Sequence, residues 1–181
     1  MIFDRYQSNV NGLHQLVKAL SARTLLALVN AFPEDVALIR KNWNGEVYAS
    51  FRGESAQRHQ QVVQIASYRA KRLTEQGIDV NLVISSLNEV AMADRAVAEQ
   101  SEKPGCSSLG VGAAQRIFAQ GRNFRIGGSL TVWGGMHRDR SAYEEEVYER
   151  LFYEATGRLF HDSSMPANID LEASRQAADQ L

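Results

Sequence analysis

The chain has 181 residues, of which 44% are hydrophobic and 23% charged, and its formal net charge is -1. This length predicts one domain with a sizeable core. A charge near zero excludes a general attraction to nucleic acid or acidic membranes, so RNA contact would need a local basic patch. The single Cys106 excludes an internal disulfide. We expect a cytoplasmic protein with no membrane association, because no signal peptide or membrane-spanning run is evident.

Strands alternate with helices along the first part of the chain. Residues 1–3 read as a short strand, and the apolar spacing in 13–20 predicts a helix. The continuous apolar run 24–29 is typical of a strand buried on both faces of a parallel sheet. Pro33 suits the first position of a second helix, which is followed by a strand at 47–51.

A long amphipathic helix is predicted at 55–76, with Gly77 as its left-handed cap. Its apolar stripe consists of Val62, Val63, Ile65, Ala66, Ala70 and Leu73. The remaining predicted elements are a strand at 80–84, a helix at 87–100, a loop at 101–112, a helix at 113–120, a strand at 129–132, a helix at 143–152 and a strand at 157–160. This alternation predicts an α/β fold, with a mostly parallel sheet covered by helices on both faces.

Several stretches in this order resemble one protein family. They are Gly45-Glu46-Val47-Tyr48-Ala49-Ser50, Arg58-His59, Lys71-Arg72-Leu73, Gly127-Gly128-Ser129-Leu130-Thr131 and Glu145-Glu146-Val147-Tyr148-Glu149. Together they resemble the ATPase core of the Rho family of transcription termination factors. The resemblance implies a RecA-like three-layer sandwich from a ring-shaped ATPase that moves along RNA. We expect a degenerate Rho-like core at residues 1–163 and a polar tail at 164–181, and we expect no counterpart of the family's N-terminal RNA-binding domain.

The phosphate-binding loop implied by the resemblance falls on a stretch that lacks the necessary residues. Such a loop needs glycines whose backbone amides surround the phosphates, a lysine and a Ser/Thr that holds Mg²⁺. Val10 stands where the lysine belongs and Asn11 where the Ser/Thr belongs. The degenerate loop region comprises Asp4, Ser8, Asn9, Val10, Asn11 and Gly12, with no glycine before Gly12.

Three further parts of the implied ATPase are also altered. Ala31 occupies the place of the carboxylate that orients the attacking water, and Ser85 that of the Walker B aspartate. We interpret the nearby Glu89 as a solvated helix charge. The basic segment that carries the arginine finger has no counterpart after residue 160. These substitutions argue against an enzyme, so we expect no catalytic residues and no cofactor. The four scattered histidines show no metal-ligand spacing, so we expect no metal.

Two loops correspond to the family's RNA-gripping loops in the centre of the ring. The first covers residues 103–112 and contains Lys103, and the second covers 135–141 and contains Arg138 and Arg140. These cations could contact phosphates, although Asp139 weakens the second group. A solvated loop of mixed charge is the simpler interpretation.

Three hypotheses for function follow. The first is a catalytically inactive Rho-like domain that acts through protein association, either with itself or with a Rho-type ring ATPase, and modulates transcription termination. The second is an RNA-binding module that uses the two loops. The third is a weak ATP-binding, Rho-type ATPase with a rearranged site.

Overall fold

A computed structural model of the chain describes residues 2–4, 10–100, 111–123, 127–136, 142–152 and 158–159. Seven strands are present in this part of the chain: β1 (Ile2–Asp4), β2 (Arg23–Ala31), β3 (Glu46–Phe51), β4 (Val80–Ile84), β5 (Arg122–Asn123), β6 (Ser129–Met136) and β7 (Arg158–Leu159). They alternate with six helices: α1 (Val10–Ala19), α2 (Pro33–Asn42), α3 (Ala56–Glu75), α4 (Leu87–Gln100), α5 (Val111–Phe118) and α6 (Ala142–Phe152).

The strands form one sheet in the order β3-β2-β4-β6-β1-β7, in which every neighbouring pair is parallel. The short β5 pairs with β6 in the antiparallel direction, and this strand is not among the elements predicted from the sequence. Because the six main strands run the same way, their carboxyl ends share one edge of the sheet. The predicted α/β class with a mostly parallel sheet is confirmed.

Helices cover both faces of this sheet, as predicted. On one face, α1 and α2 pack on alternate residues of the central strands, including Leu26, Leu28 and Val83. On the other face, α3, α4, α5 and α6 pack on the intervening residues, including Leu25 and Leu82. Successive strand residues point to opposite faces, so the consecutive apolar residues 25–29 of β2 and 82–84 of β4 contribute to two cores.

The helix α3 begins and ends as its sequence predicts. The Ser55 hydroxyl accepts a hydrogen bond from the Arg58 backbone N–H, and Gly77 follows the helix with a φ of +85°. Five residues of the predicted apolar stripe are buried. The assignment of Ile65 to this stripe is wrong, because the residue is 50% exposed. Ile65 lies on the flank of the helix that faces away from the core, so packing in the core does not explain its apolar side chain.

Two predicted boundaries near the loops are corrected by the structure. The helix α5 begins at Val111, two residues before its predicted start, and it ends at Phe118 instead of 120. The strand β6 continues to Met136, four residues beyond the predicted end at 132. The predicted tail at 164–181 lies outside the described residues, and the division at residue 163 stays a prediction. Among the described helices, none combines the length and the apolar character needed to cross a membrane.

A charged cluster joins the amino-terminal ends of β2 and β3 to α3. Arg69 donates from Nε and Nη2 to the Glu46 carboxylate over 3.1 and 3.2 Å. Arg23 Nη2 and the Tyr48 hydroxyl donate to the same carboxylate over 2.6 and 2.8 Å. Hydrogen bonding to Arg69, with further contributions from Arg23 and Tyr48, lowers the pKa of Glu46 from 4.5 to about 2. The cluster therefore joins the edge strand β3 to the strand β2 and to the helix α3.

This lowered pKa predicts a loss of stability in acid. The folded state holds Glu46 ionised more strongly than the unfolded state, so its contribution is complete above pH 4.5 and disappears as the pH falls toward 2. Since the cluster is partly solvated, we expect Glu46→Gln to lower the free energy of unfolding at pH 7 by about 1 kcal/mol. Urea unfolding at several pH values would measure the difference between the two proteins, which should shrink in acid.

Glu75→Gln is the matched control for this experiment. Glu75 pairs with Arg72 at 3.1 Å, but both side chains are largely exposed. The control should be close to neutral at every pH. A Glu46→Gln protein as stable as the control would contradict the assignment.

Candidate functional site

The candidate site lies at the carboxyl edge of the sheet, where β1, β2 and β4 end. In open α/β sheets, ligands bind outside the carboxyl ends of the strands. The strand order places β4 directly beside β2 and separates it from β1 by β6. The resemblance assigns ATP chemistry to the segment after β1, to Ala31 at the end of β2 and to Ser85 after β4. All three therefore lie along one edge of the sheet, as the sequence interpretation requires.

The region of the degenerate phosphate loop links β1 to α1. Asp4 is the last residue of β1, and Val10, Asn11 and Gly12 form the first turn of α1. Ser8 and Asn9 lie outside the described residues. A strand and a helix thus flank this region, but residues 4–11 contain neither glycine nor lysine. The chain cannot supply the usual glycine-rich series of amides and lysine ammonium group to a triphosphate here.

Ser85 follows β4 immediately and is 2% exposed. Its backbone N–H donates to the Ala27 carbonyl at 2.9 Å, which extends the pairing of β4 with β2 by one residue. Its hydroxyl oxygen accepts a hydrogen bond from the Val29 N–H, also at 2.9 Å. The side chain therefore serves as an inter-strand acceptor beyond the end of the regular ladder. It is neutral, so it cannot supply the negative charge that a carboxylate at this position would offer to a hard divalent cation.

Ala31 ends β2 just after a β-bulge. Leu28 pairs with Ala49 and Ala31 pairs with Phe51, so Val29 and Asn30 of β2 lie opposite the single Ser50 of β3. Asn30 has a φ of +52°, in the left-handed region that asparagine tolerates better than most residues. The methyl group of Ala31 cannot accept a proton or orient a water molecule.

A chain of hydrogen bonds, which sequence reasoning missed, surrounds this bulge. The fully buried Ser50 hydroxyl accepts from the Asn30 N–H at 3.3 Å and lies 2.9 Å from His59 Nδ1. The Asn30 side-chain amide donates to the Glu89 carboxylate at 2.9 Å. The interpretation of Glu89 as a solvated helix charge is therefore wrong, because this half-buried carboxylate links α4 to β2. Polar residues at the ends of buried strands were the available signal for this cluster.

The loops predicted to bind RNA are only partly described. Lys103, Arg138 and Arg140 all lie outside the described residues. The structure corrects the extent of both loops: Val111 and Gly112 belong to α5, and Gly135 and Met136 are buried residues of β6. Backbone in a helix or in a paired strand cannot rearrange around a ligand as a loop does.

No group of three or more His, Cys, Asp or Glu side chains that could hold a metal ion occurs within the described ranges. Beside β2 and β4, the described part of this edge carries the neutral Ser50 and Ser85 acceptors and the Glu89 carboxylate, which accepts a hydrogen bond from the Asn30 amide. Chemically, this arrangement holds strand ends together.

Comparison with solved structures identifies the class of fold. An ATPase from the type III secretion system of pathogenic bacteria superposes on 90% of this chain and 50% of its own, with a TM-score of 0.74 and 16% identity. The assembled ATPase EscN from the type III secretion system of enteropathogenic E. coli superposes on 88% of this chain and 41% of its own, with a TM-score of 0.76 and 16% identity. The chain has a RecA-like ATPase fold.

Sequence comparison is more specific within that class. No family model matches the chain. Transcription termination factor Rho of Escherichia coli K12 is 31% identical over 86% of the chain and 35% of its own length. Rho of Karelsulcia muelleri is 29% identical over 86% of the chain and 39% of its own length. Rho of Streptomyces coelicolor is 26% identical over 99% of the chain and 40% of its own length. The chain is therefore Rho-like in sequence, and it spans about two fifths of the length of these relatives.

The role of Ser85 as a backbone acceptor predicts the effect of two substitutions. Ser85→Ala should lower the free energy of unfolding by about 1–3 kcal/mol, because the buried Val29 N–H would lose its partner. Ser85→Asp should lower the free energy of unfolding by at least as much, because it places a carboxylate at a buried position. Thermal or urea unfolding would measure both effects.

Ser85→Thr, which retains the hydroxyl, separates the loss of the acceptor from a general sensitivity to substitution. It should be less destabilising than Ser85→Ala, apart from the strain of one extra methyl group. A Ser85→Ala protein with wild-type stability would contradict the assigned hydrogen bond.

Proposed function

We propose that this chain is a Rho-like RecA-type domain that does not hydrolyse ATP and acts through protein association, either with itself or with a Rho-type ring ATPase. The observation that carries the proposal is the hydrogen bond that the Ser85 hydroxyl accepts. The resemblance assigns this position to the acid that helps to hold Mg²⁺, and here a neutral hydroxyl is engaged by the Val29 backbone at 2.9 Å.

Two other features of the same edge support an inactive domain. Ala31 supplies no group to orient water, and the loop region 4–12 has neither lysine nor glycine before Gly12. Loss of electrostatic or positioning groups of this kind typically reduces phosphoryl-transfer rates by about 10³-fold or more for each group. Their combined absence leaves a scaffold without the chemistry of its relatives.

Association is the function that such a scaffold can retain. The relatives are termination factors, so a Rho-type ring is the partner that the sequence similarity suggests. A domain that joined such a ring without an active site would alter its activity, and hence modulate termination.

We expect no phosphate release above background when the purified chain is incubated with ATP, Mg²⁺ and RNA. An added Rho-type ring ATPase from the same cell should form a complex with the chain and show altered termination in a transcription assay. The Ser85→Ala protein serves as a control for indirect effects of instability. Saturable, RNA-stimulated phosphate release by the chain alone would contradict inactivity, and it would favour the third hypothesis, a rearranged ATPase. The absence of both a complex and an altered termination pattern would exclude the Rho-type partner.

RNA binding through the two loops is the second candidate function. The supporting observation is that β6 reaches the carboxyl edge at Met136. Ligands of such sheets bind at that edge, and Arg138 and Arg140 are the second and fourth residues after Met136 in the sequence. We expect labelled RNA to bind only at low salt, and Arg138→Ala with Arg140→Ala to abolish that binding. Arg40→Ala with Lys41→Ala on α2 is the matched control, because it removes the same amount of positive charge from a different surface. RNA binding that survives the loop substitutions, or no binding at low salt, would exclude this candidate.

A further inference from the structure

The strand β3 forms one edge of the sheet. It pairs with β2 on one side, and no strand in the described part of the chain lies on its other side. Its sequence, Glu-Val-Tyr-Ala-Ser-Phe, contains neither the lysine nor the proline that commonly protects an exposed edge. Such an edge presents a row of backbone N–H and C=O groups, which is the template for pairing with another extended chain.

The hydrogen bonds at the end of β3 show which residues face its free side. The Arg52 N–H donates to the carbonyl of the last β2 residue at 3.0 Å, whereas the Phe51 N–H donates to the Glu54 carboxylate at 2.8 Å. Successive residues of a strand direct their backbone groups to opposite sides, so Val47 and Ala49 face away from β2, as Phe51 does. Because Glu54 already occupies Phe51, the accessible edge consists of Val47 and Ala49, each with one N–H and one carbonyl group.

The helix α3 lies beside this edge and runs antiparallel to β3. The His59 ring near its start lies 2.9 Å from the Ser50 hydroxyl near the end of the strand. Arg69, near the end of the helix, binds Glu46 at the start of the strand. Ile65 lies four residues before Arg69, on the same flank of the helix. Its side chain, which is 50% exposed, therefore stands beside the middle of β3.

Positive charge lies at both ends of this flank. The guanidinium groups of Arg23 and Arg69 share the single Glu46 carboxylate, and their side chains remain 51% and 44% exposed. One positive charge at the start of β3 is therefore not balanced. Arg58 lies two turns before Ile65 on the same side of α3, is exposed, and has no ion-pair partner within the described ranges. The flank thus complements a segment that is apolar at its centre and acidic toward its ends.

We propose that an extended segment of another protein binds as an additional strand beside β3, with its backbone paired to Val47 and Ala49 and an apolar side chain packed on Ile65. This inference rests on the association part of the proposed function and names the chemistry of the partner. In strand addition, main-chain hydrogen bonds provide affinity and alternate side chains provide specificity. A helix satisfies its backbone groups internally, and a nucleic acid has none, so the free backbone favours an extended peptide.

Selection from a displayed library of random twelve-residue peptides supplies the probe. We expect the chain to enrich peptides in which apolar residues alternate, and a labelled synthetic version should bind saturably in fluorescence anisotropy. Replacement of its acidic residues by their amides should weaken binding and reduce its salt dependence. Methyl groups on one alternate set of its backbone nitrogens should abolish binding, whereas methyl groups on the other set should not, because only one set faces β3.

Ala49→Pro tests the backbone pairing from the side of the chain. It removes one edge donor and places a ring in its path, and it spares the pairing with β2 because the Ala49 N–H faces away from that strand. The affinity for the selected peptide should fall at least about tenfold. Ala49→Ser, which keeps the N–H, is the matched control and should bind as the wild type does.

Ile65→Gln tests the apolar contact without a change in the backbone, and it should also weaken peptide binding. Met92→Gln is its matched control, because Met92 is exposed to a similar extent, 46%, on the helix α4. The control should bind as the wild type does. Thermal midpoints should establish that each variant is folded.

Hydrogen exchange locates the contact on the chain. The selected peptide should slow exchange of the Val47 and Ala49 amides, which face the free side of β3. The Tyr48 amide already faces β2, so its exchange should not change.

Four outcomes would overturn the inference. They are a selection without enriched peptides, peptide binding that Ala49→Pro and Ile65→Gln leave unchanged, slow exchange of the Val47 and Ala49 amides in the free monomer, and a dimer of the free chain that Ala49→Pro dissociates. The third would show that another part of the chain covers the edge, and the fourth that a second copy does.

Further outcomes separate this surface from other sites and from the proposed function. Binding of labelled single-stranded RNA without peptide binding, lost in Arg58→Glu, would identify a nucleic-acid site instead. A chain that binds a Rho-type ring but no peptide would overturn this surface and leave the proposed function intact. Phosphate release by a chain that binds the peptide as expected would refute inactivity and leave the surface intact.

Discussion

The hydrogen bond from the Val29 backbone to the Ser85 hydroxyl joins two central strands at the edge where ligands bind in open α/β sheets. Parallel strands end there with unpaired backbone groups, and each buried group needs a partner. A carboxylate at position 85 would require a cation or several donors to compensate for its burial. A serine instead satisfies the neighbouring strand directly. The same side chain thus stabilises the sheet and brings no negative charge to position 85.

The bulge in β2 extends this arrangement toward β3 and α4. Asn30 is held by Ser50 through its backbone and by Glu89 through its side chain. These bonds stabilise a left-handed backbone conformation that asparagine adopts only at some cost. The strand ends of β2, β3 and β4 are therefore connected by hydrogen bonds between protein groups, which stabilise this edge of the sheet.

The fold could be predicted from the sequence more completely than this edge. The buried runs that form β2 and β4, the long helix α3 and the helix α4 have strong periodic or continuous apolar patterns, so their positions were predicted to within one or two residues. The two-residue strand β5 has no such pattern, and the extension of β6 through Gly134 and Gly135 contradicts the low strand propensity of glycine. Burial beside β1 and β4 determines that extension, which is a property of the assembled sheet.

The candidate site was only partly predictable for a related reason. Ala31 and Ser85 could be placed because each ends a strand with a clear apolar run. The contacts of Asn30, Ser50 and His59 join residues that are far apart in the sequence, and a single sequence contains no record of such pairs. The exposure of Ile65 was unpredictable for a similar reason, since apolar spacing alone does not distinguish the core side of a helix from its exposed flank.

The central claim is that protein hydrogen bonds, and no nucleotide, hold the carboxyl edge together. The most direct measurement is a calorimetric titration of the folded chain with a non-hydrolysable ATP analogue and Mg²⁺, followed by a crystal structure of the mixture. We expect no saturable heat and no phosphate density between Asp4 and Gly12. Saturable binding with phosphates in that segment, or a displaced Ser85 hydroxyl that coordinates Mg²⁺, would contradict the claim.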